Sequence, residues 1–454
     1  MGRAMRYFLD PFGCAKNQVD GETIMAALDD SGWACCAGAE DADLIIVNSC
    51  GFIEAAKRES INAVLAWRKR YPQKKILLAG CLAQRYGKEL AEELQEADGI
   101  FGNRDLPAAA WTAASLMGQG SGVKTAPAGI LIPGRRPLLG FPGSAYVKIS
   151  EGCNNCCSFC AIPLIRGPLL CRSIPDVASE CGQLLERGVK ELCLIGQDLA
   201  SYSPPGKEDR SSSGLAALLT ALAKMPGSFW VRLLYLHPDH FPADILPVLQ
   251  GDSRLLPYFD IPFQHASRPL LARMNRRGDA ETYLRLLENI RAVLPGAVFR
   301  STFLTGFPGE TDEDLARLLD FQERARFDWL GVFTYSREEG TAAWSMKDRV
   351  PKKTAAFRKR LIEERQIPIT EERMNRFTGQ TMDVLIEEAM SPSLAEGLWL
   401  GRLFCQAPEV DGAAVIRHNG PPDLSGEFPG NLEPGMLISG RVTARAGFDL
   451  EVKV

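Results

Sequence analysis

Six short apolar runs in the middle of the chain limit its fold more than any other feature. They cover residues 145–149, 191–195, 230–234, 258–261, 299–304 and 330–334, and helix-like stretches separate most of them. Runs of this length are strand-like, and repeated strand–helix units fold as parallel sheets with helical crossovers. Six in succession predict a parallel barrel or partial barrel of the TIM type, with functional residues at the strand C-terminal ends. Polar signatures do fall there: Gly196-Gln197-Asp198, His237-Pro238, Gln264-His265 and Gly306-Phe307-Pro308-Gly309-Glu310.

The flanking regions read differently. Residues 4–115 alternate strand and helix patterns, with strands over 42–48 and 75–80 and a helix over 54–70 that should turn Ile61, Val64 and Leu65 inward. That is a small α/β domain. Residues 106–143 are rich in Ala, Gly and Pro, as in a linker or extended connection. A charged helix over 353–376 carries Arg358-Lys359-Arg360, expected on a solvated face. Short β-like runs split by Gly and Pro then suggest a small β-barrel over 377–454. The expected division is 1–120, a linker at 121–143, 144–376 and 377–454.

Composition excludes several classes. The chain has 454 residues, 46% hydrophobic and 24% charged, as in a multidomain globular protein. No stretch reaches the roughly 18 apolar residues of a membrane helix. Met1-Gly2-Arg3-Ala4-Met5-Arg6 has no apolar signal core, so a cytoplasmic address and no membrane partner are expected. Thirteen cysteines form an odd count in a long chain. Metal binding explains them better than a secreted disulfide scaffold.

Cys153, Cys157 and Cys160 have the spacing C-x-x-x-C-x-x-C directly after a strand. Such a loop can wrap three thiolates around three irons of a cubane. An electron-transfer cluster normally has four cysteine ligands; three leave one iron open for chemistry. Zinc sites favour paired C-x-x-C or added histidines, and the chain has only four histidines. Cys156 could compete as a ligand but is taken as a bystander. Cys14, Cys50 and Cys81 form a scattered second trio, each just after a strand or in a glycine turn. In a parallel sheet such loops converge on one edge, although spacing alone leaves buried cysteines as an alternative. Cys35 and Cys36 read as turn filler, and Cys181, Cys193 and Cys405 as core. Gln197, Gln264 and His265 sit at barrel strand ends, where a cofactor contact competes with ordinary loop hydrogen bonding.

The central triplet resembles that of the radical S-adenosylmethionine (SAM) superfamily. The order of motifs over nearly the whole chain resembles the methylthiotransferases, through Gly306-Phe307-Pro308-Gly309-Glu310-Thr311 and Tyr335-Ser336-Arg337-Glu338-Glu339-Gly340-Thr341. Within them it is most similar to the branch that modifies an aspartate of small-subunit ribosomal protein S-twelve. Four stretches carry this: Cys14 to Asp20, Cys50 to Lys57, Asp260 to His265, and Ala407 to Gly412. Asp10-Pro11-Phe12, Ser49, Cys171 and the segment at 203–205 depart from the pattern without removing a cluster ligand.

The resemblance implies an α/β three-cysteine domain, a radical SAM partial (β/α) barrel and a small antiparallel TRAM-like β-barrel. It implies two [4Fe–4S] clusters, one on Cys14, Cys50 and Cys81 and one on Cys153, Cys157 and Cys160, with no catalytic residue beyond these ligands. SAM and a sulfide or persulfide would be the small-molecule partners, and Gln197, Gln264 and His265 candidate SAM contacts. A flavodoxin or ferredoxin would supply electrons. The reaction implied is methylthiolation of the aspartate β-carbon. The rivals are a tRNA adenosine methylthiotransferase and a non-catalytic iron–sulfur carrier. Charge bears on the first: residues 377–454 hold eleven acidic and five basic side chains, a net of −6. That balance suits a basic ribosomal protein better than RNA phosphates, so nucleic acid is not the expected substrate.

Overall fold

In a computed structural model, residues 4–118, 137–206, 212–390, 397–417 and 432–454 are described. Most of the expected linker at 121–143 therefore lies outside the described residues. The chain forms two compact units. One takes in Met1–Leu139, Ser150–Arg172 and Ser336–Trp344; the other takes in Gly140–Ile149, Ser173–Tyr335 and Ser345–Val454.

The first unit is built on a five-stranded, all-parallel sheet. Its strand order is Ala34–Cys35, Arg6–Pro11, Leu44–Ser49, Lys75–Gly80 and Gly99–Phe101. Side chains alternate across a strand, so a strand covered on both faces must be apolar throughout. Leu44, Ile46 and Leu77 pack with Tyr7, Ile24 and Leu28 on one face. Ile45, Val47, Ile76 and Leu78 pack with Val64 and Leu82 on the other. The helix Glu54–Arg70 forms where expected, with Glu54 in its first turn and Arg68, Lys69 and Arg70 in its last, complementing the helix dipole. One detail differs: Val64 is fully buried, but Leu65 is exposed. It lies about 100° further round the helix than Val64; Ser60 and Val64 are the buried residues, and Ile61, Ala63 and Trp67 pack part-buried against the same core.

The rest of this unit is short. Ser150–Glu151 pairs antiparallel with Leu170–Cys171, and between them runs the helix Ile162–Arg166. The segment from Ser336 is held by Glu338, whose buried carboxylate binds Lys57 at 3.0 Å and Arg85 at 2.7 Å.

The second unit contains six parallel strands in sequence order: Ser144–Lys148, Glu191–Ile195, Trp230–Leu233, Leu255–Asp260, Val298–Thr305 and Trp329–Thr334. This is the expected partial barrel. The first five strands are largely buried, with helices such as Ile174–Glu186, Ala280–Val293 and Asp312–Ala325 packed on the sheet, while the edge strand Trp329–Thr334 leaves Phe333 and Thr334 exposed. After the helix Lys352–Asn375, five strands close a barrel: Thr381–Ala389, Leu398–Leu403, Ala414–Arg417, Asp449–Lys453 and Leu437–Ala446. All its pairings are antiparallel apart from that between Ala414–Arg417 and Asp449–Lys453.

Buried charge joins these two parts. Glu191 binds Arg232 at 2.7 Å and Arg402 at 2.6 Å, and Arg402 also binds Glu387. Burial alone would raise the Glu191 pKa, but Arg402 and Arg232 hold it down at about 2. Arg402, Glu387 and Asp411 are buried, so part of the C-terminal charge count is internal rather than surface charge. In the run at 358–360, Arg360 is exposed and Lys359 partly so, as expected, but Arg358 is corrected. Arg358 is buried, paired with Glu310 at 3.0 Å and Asp312 at 2.7 Å. It sits on the face of its helix that covers the Gly306–Glu310 turn, where a charged residue among charged neighbours gives no sign of burial.

Candidate functional site

Cys14, Cys50 and Cys81 follow the C-terminal ends of three adjacent parallel strands: Arg6–Pro11, Leu44–Ser49 and Lys75–Gly80. All three loops therefore leave the sheet at one edge. Cys14 is the extended residue that starts the helix Ala15–Asp30. Cys81 opens the short helix Cys81–Arg85. Two glycines measure how closely the loops meet. A Cβ on Gly13, whose φ is +94°, would lie 3.4 Å from Cys50 Sγ, and one on Gly51 would lie 2.7 Å from the backbone of Leu82. Asn17 ties the edge together by donating to the carbonyls of Phe12, Asn48 and Ser49 at 2.6, 3.1 and 3.2 Å. Asn48 returns a bond to the Asn17 carbonyl at 2.7 Å.

The three thiols have unequal surroundings. Cys81 is buried, Cys50 half-buried and Cys14 exposed. Burial pushes the Cys81 thiol up to about 12; Arg166 opposes this, while Asp20, Cys14 and Cys50 add to it. Burial also raises Cys50, with Cys14 adding to the shift. At Cys14 desolvation is again the largest influence, although its surface is exposed. Lys16, Arg166 and the backbone N–H groups of Asn17 and Lys16 together outweigh it, and the net shift is downward. Cys50 thus feels Cys14, and Cys81 feels both of the others. Asn103 Nδ2 donates to Cys81 Sγ at 3.4 Å, and Arg166 Nη2 donates to it at 3.1 Å.

Cys153, Cys157 and Cys160 lie in the same unit, all half-buried. Gly152 sets up their loop. Its φ is +72°, and a Cβ there would fall 2.1 Å from the Pro168 carbonyl, a place only glycine fills without distortion. Cys153 N donates to the Gly167 carbonyl at 3.2 Å, and Cys160 N to the Cys157 carbonyl at 3.0 Å. Cys156 is exposed, its thiol 3.6 Å from the Asn154 carbonyl. Among the described residues, no three His, Cys, Asp or Glu side chains converge on a point that would hold one metal ion. A cubane asks for something else, since each thiolate binds a different iron at a separate corner.

The strand-end residues of the second unit are more varied. Gln197 and Gln264 are half-buried, and Gln264 takes a left-handed φ of +68°. His265 is fully buried: its Nδ1 accepts from Ser267 N at 3.0 Å, and its Nε2 faces Glu310 at 3.6 Å. Asp198 accepts from His240 Nε2 at 2.6 Å and Ser201 Oγ at 2.7 Å, and His240 stacks on His237. The sequence reading missed Arg166, Asn103, Asn17 and this Asp198–His240 pair. Asn17, three residues after Cys14, and Asp198, at a strand end beside Gln197, carried local signals. The others meet partners tens of residues away. Cys181, Cys193 and Cys405 are core, as expected, while Cys35 is exposed and Cys36 half-buried.

Residues 6–102 match the uncharacterised protein family UPF0004, residues 147–321 the radical SAM superfamily, and residues 378–454 the TRAM domain. Proteins named ribosomal protein uS12 methylthiotransferase RimO match along nearly the whole chain. The one from Treponema denticola is 46% identical, covering 98% of this chain and 99% of its own. That from Aquifex aeolicus is 39% identical, covering 96% and 94%. The chain belongs to the RimO family of radical SAM methylthiotransferases. Among solved structures, the radical SAM methyltransferase TsrM from Kitasatospora setae, with cobalamin and a [4Fe–4S] cluster bound, aligns with a TM-score of 0.55 at 16% identity. The alignment covers 75% of this chain and 77% of that one, and it supports the fold. Family membership makes the chain an enzyme that uses iron–sulfur clusters and SAM. The donor set fits such clusters: two trios of thiols without disulfides, one of them on a single sheet edge. No helix among the described residues is long and apolar enough to cross a membrane.

Proposed function

We propose that this chain attaches a methylthio group to the β-carbon of an aspartate in ribosomal protein uS12, using two cubanes each held by three cysteines. Cys14, Cys50 and Cys81 would hold one, and Cys153, Cys157 and Cys160 the other. When bound, these groups supply reductive cleavage of SAM and the sulfur that is transferred. The chain's own residues position and shield them. The observation that carries this reading is the convergence of the Cys14, Cys50 and Cys81 loops on one sheet edge, with Gly51 against Leu82. Burial of Cys81 keeps water from that side of the site.

Gln197, Gln264 and His265 are proposed SAM contacts; the enclosed His265 would act by fixing Gln264, its neighbour. The TRAM module would dock the basic uS12, and its acidic excess, which persists when buried Arg402, Glu387 and Asp411 are set aside, favours a protein over an RNA partner. A flavodoxin or ferredoxin would deliver the electrons, in the cytoplasm. The division 1–120, 121–143, 144–376 and 377–454 is the one we propose for truncation work. The test is anaerobic incubation of the reconstituted enzyme with uS12, SAM, sulfide and a reductant. Mass spectrometry should find one methylthio group on one aspartate. Modification of tRNA instead, or no 5′-deoxyadenosine at all, would overturn the proposal.

A further inference from the structure

Arg166 is the least expected residue in the first unit. It ends the helix Ile162–Arg166, six residues after Cys160, and its side chain is almost wholly buried. Nη1 binds Glu151 at 2.8 Å, and Nη2 binds Asp20 at 2.8 Å. Those two carboxylates already neutralise a guanidinium. Yet Nη2 also donates to Cys81 Sγ at 3.1 Å. Arginine can do this because its planar fork presents five N–H donors in fixed directions. The sulfur it reaches is the most buried of the three and receives a second donor, Asn103 Nδ2 at 3.4 Å. Neither Cys14 nor Cys50 is given a side-chain donor of this kind in any described hydrogen bond.

The partners of Arg166 also fall on both cysteine trios. Asp20 lies on the helix that Cys14 begins, and Glu151 lies two residues before Cys153. Cluster potentials are set by net charge, by hydrogen bonds to sulfur and by burial. Reduction adds one negative charge to a cluster. A buried N–H donor bonded to a ligand sulfur stabilises that charge where water cannot.

We propose that Arg166 is a positioning residue that hydrogen-bonds the Cys81 thiolate and raises the reduction potential of the cluster held by Cys14, Cys50 and Cys81. Asn103 assists it from the other side. The inference rests on the assignment of those three cysteines as ligands, so the test keeps the two apart.

The full chain with Cys153, Cys157 and Cys160 replaced by Ala is the parent, because any cubane it holds must sit on the N-terminal trio. It is reconstituted anaerobically and titrated with dithionite, followed by EPR and visible absorption. The variants are Arg166→Gln, Arg166→Lys and Asn103→Ala. With one cubane's worth of iron in each, the midpoint should fall most in Arg166→Gln. It should recover partly in Arg166→Lys, which keeps the charge but loses the fork, and should fall least in Asn103→Ala. A role confined to tying the loops together would change thermal stability and leave the midpoint in place; that result overturns the proposal. Should Arg166→Gln fail to fold, an unmoved midpoint in both Arg166→Lys and Asn103→Ala overturns it equally. A parent that binds no iron overturns the ligand assignment itself, and the proposal with it.

Discussion

Buried charge is used in opposite ways in the two units. In the second unit, Glu191, Arg232, Arg402 and Glu387 pair with one another, and their role is to fasten the C-terminal barrel to the parallel sheet. In the first, Arg166 meets two carboxylates and still directs a donor at Cys81. A buried charge whose partners are opposite charges and backbone carbonyls is a structural joint. One that keeps a donor for a thiol is part of the chemistry. Desolvation makes both arrangements expensive to break, but only the second should register in a cluster property.

Four changes break or sharpen that contrast. The largest effect is expected for Cys14→Ala, Cys50→Ala or Cys81→Ala. Methylthio transfer should vanish while 5′-deoxyadenosine still forms, measured together by mass spectrometry and chromatography. Next comes Glu191→Gln, which leaves buried Arg232 without its carboxylate and Arg402 with Glu387 alone, and should cost about 3–5 kcal/mol of stability. Thermal melting would show it, with cluster absorption unchanged in what remains folded. The same group sets a pH dependence. Its pKa is about 2 in the folded protein, against about 4.3 in an unfolded chain. Its stabilising contribution is therefore complete above about pH 4.3 and is lost as pH falls toward 2. Acid unfolding followed by circular dichroism should show less of this loss in Glu191→Gln.

A smaller effect is expected for Gly51→Ala. Its methyl would meet the Leu82 backbone at 2.7 Å, so the Cys50 and Cys81 loops must part, at a cost of about 1–3 kcal/mol. Iron analysis should show loss from the N-terminal site and retention at the central one. Smallest of all is Leu65→Gln. Leu65 is exposed, so the change should stay within about 0.5 kcal/mol in a denaturant titration.

Much of this was legible in the sequence because it is local. The six central strands fall within a few residues of their expected places, since apolar runs bounded by turns report on a strand covered on both faces. The helix Glu54–Arg70 was equally clear from its periodicity. The Cys14, Cys50 and Cys81 loops could be placed at strand ends, and adjacency of the three strands then brings them together. Long-range pairing was not legible. Arg166 meets Asp20 across 146 residues, and Arg402 meets Glu191 across 211; no spacing rule connects such partners. Leu65 and Arg358 were misread for a related reason. A helix pattern shows that a face exists, while the width of the buried stripe depends on what packs against it.

The claim beneath this account is that two three-thiolate cubanes reside in one chain. Anaerobic reconstitution with iron analysis and Mössbauer spectroscopy tests it most directly. The account predicts iron for two cubanes per chain, with half lost when Cys14, Cys50 and Cys81 are replaced by Ala and the other half lost when Cys153, Cys157 and Cys160 are. Saturation at a single cubane's iron in the unaltered chain would contradict it.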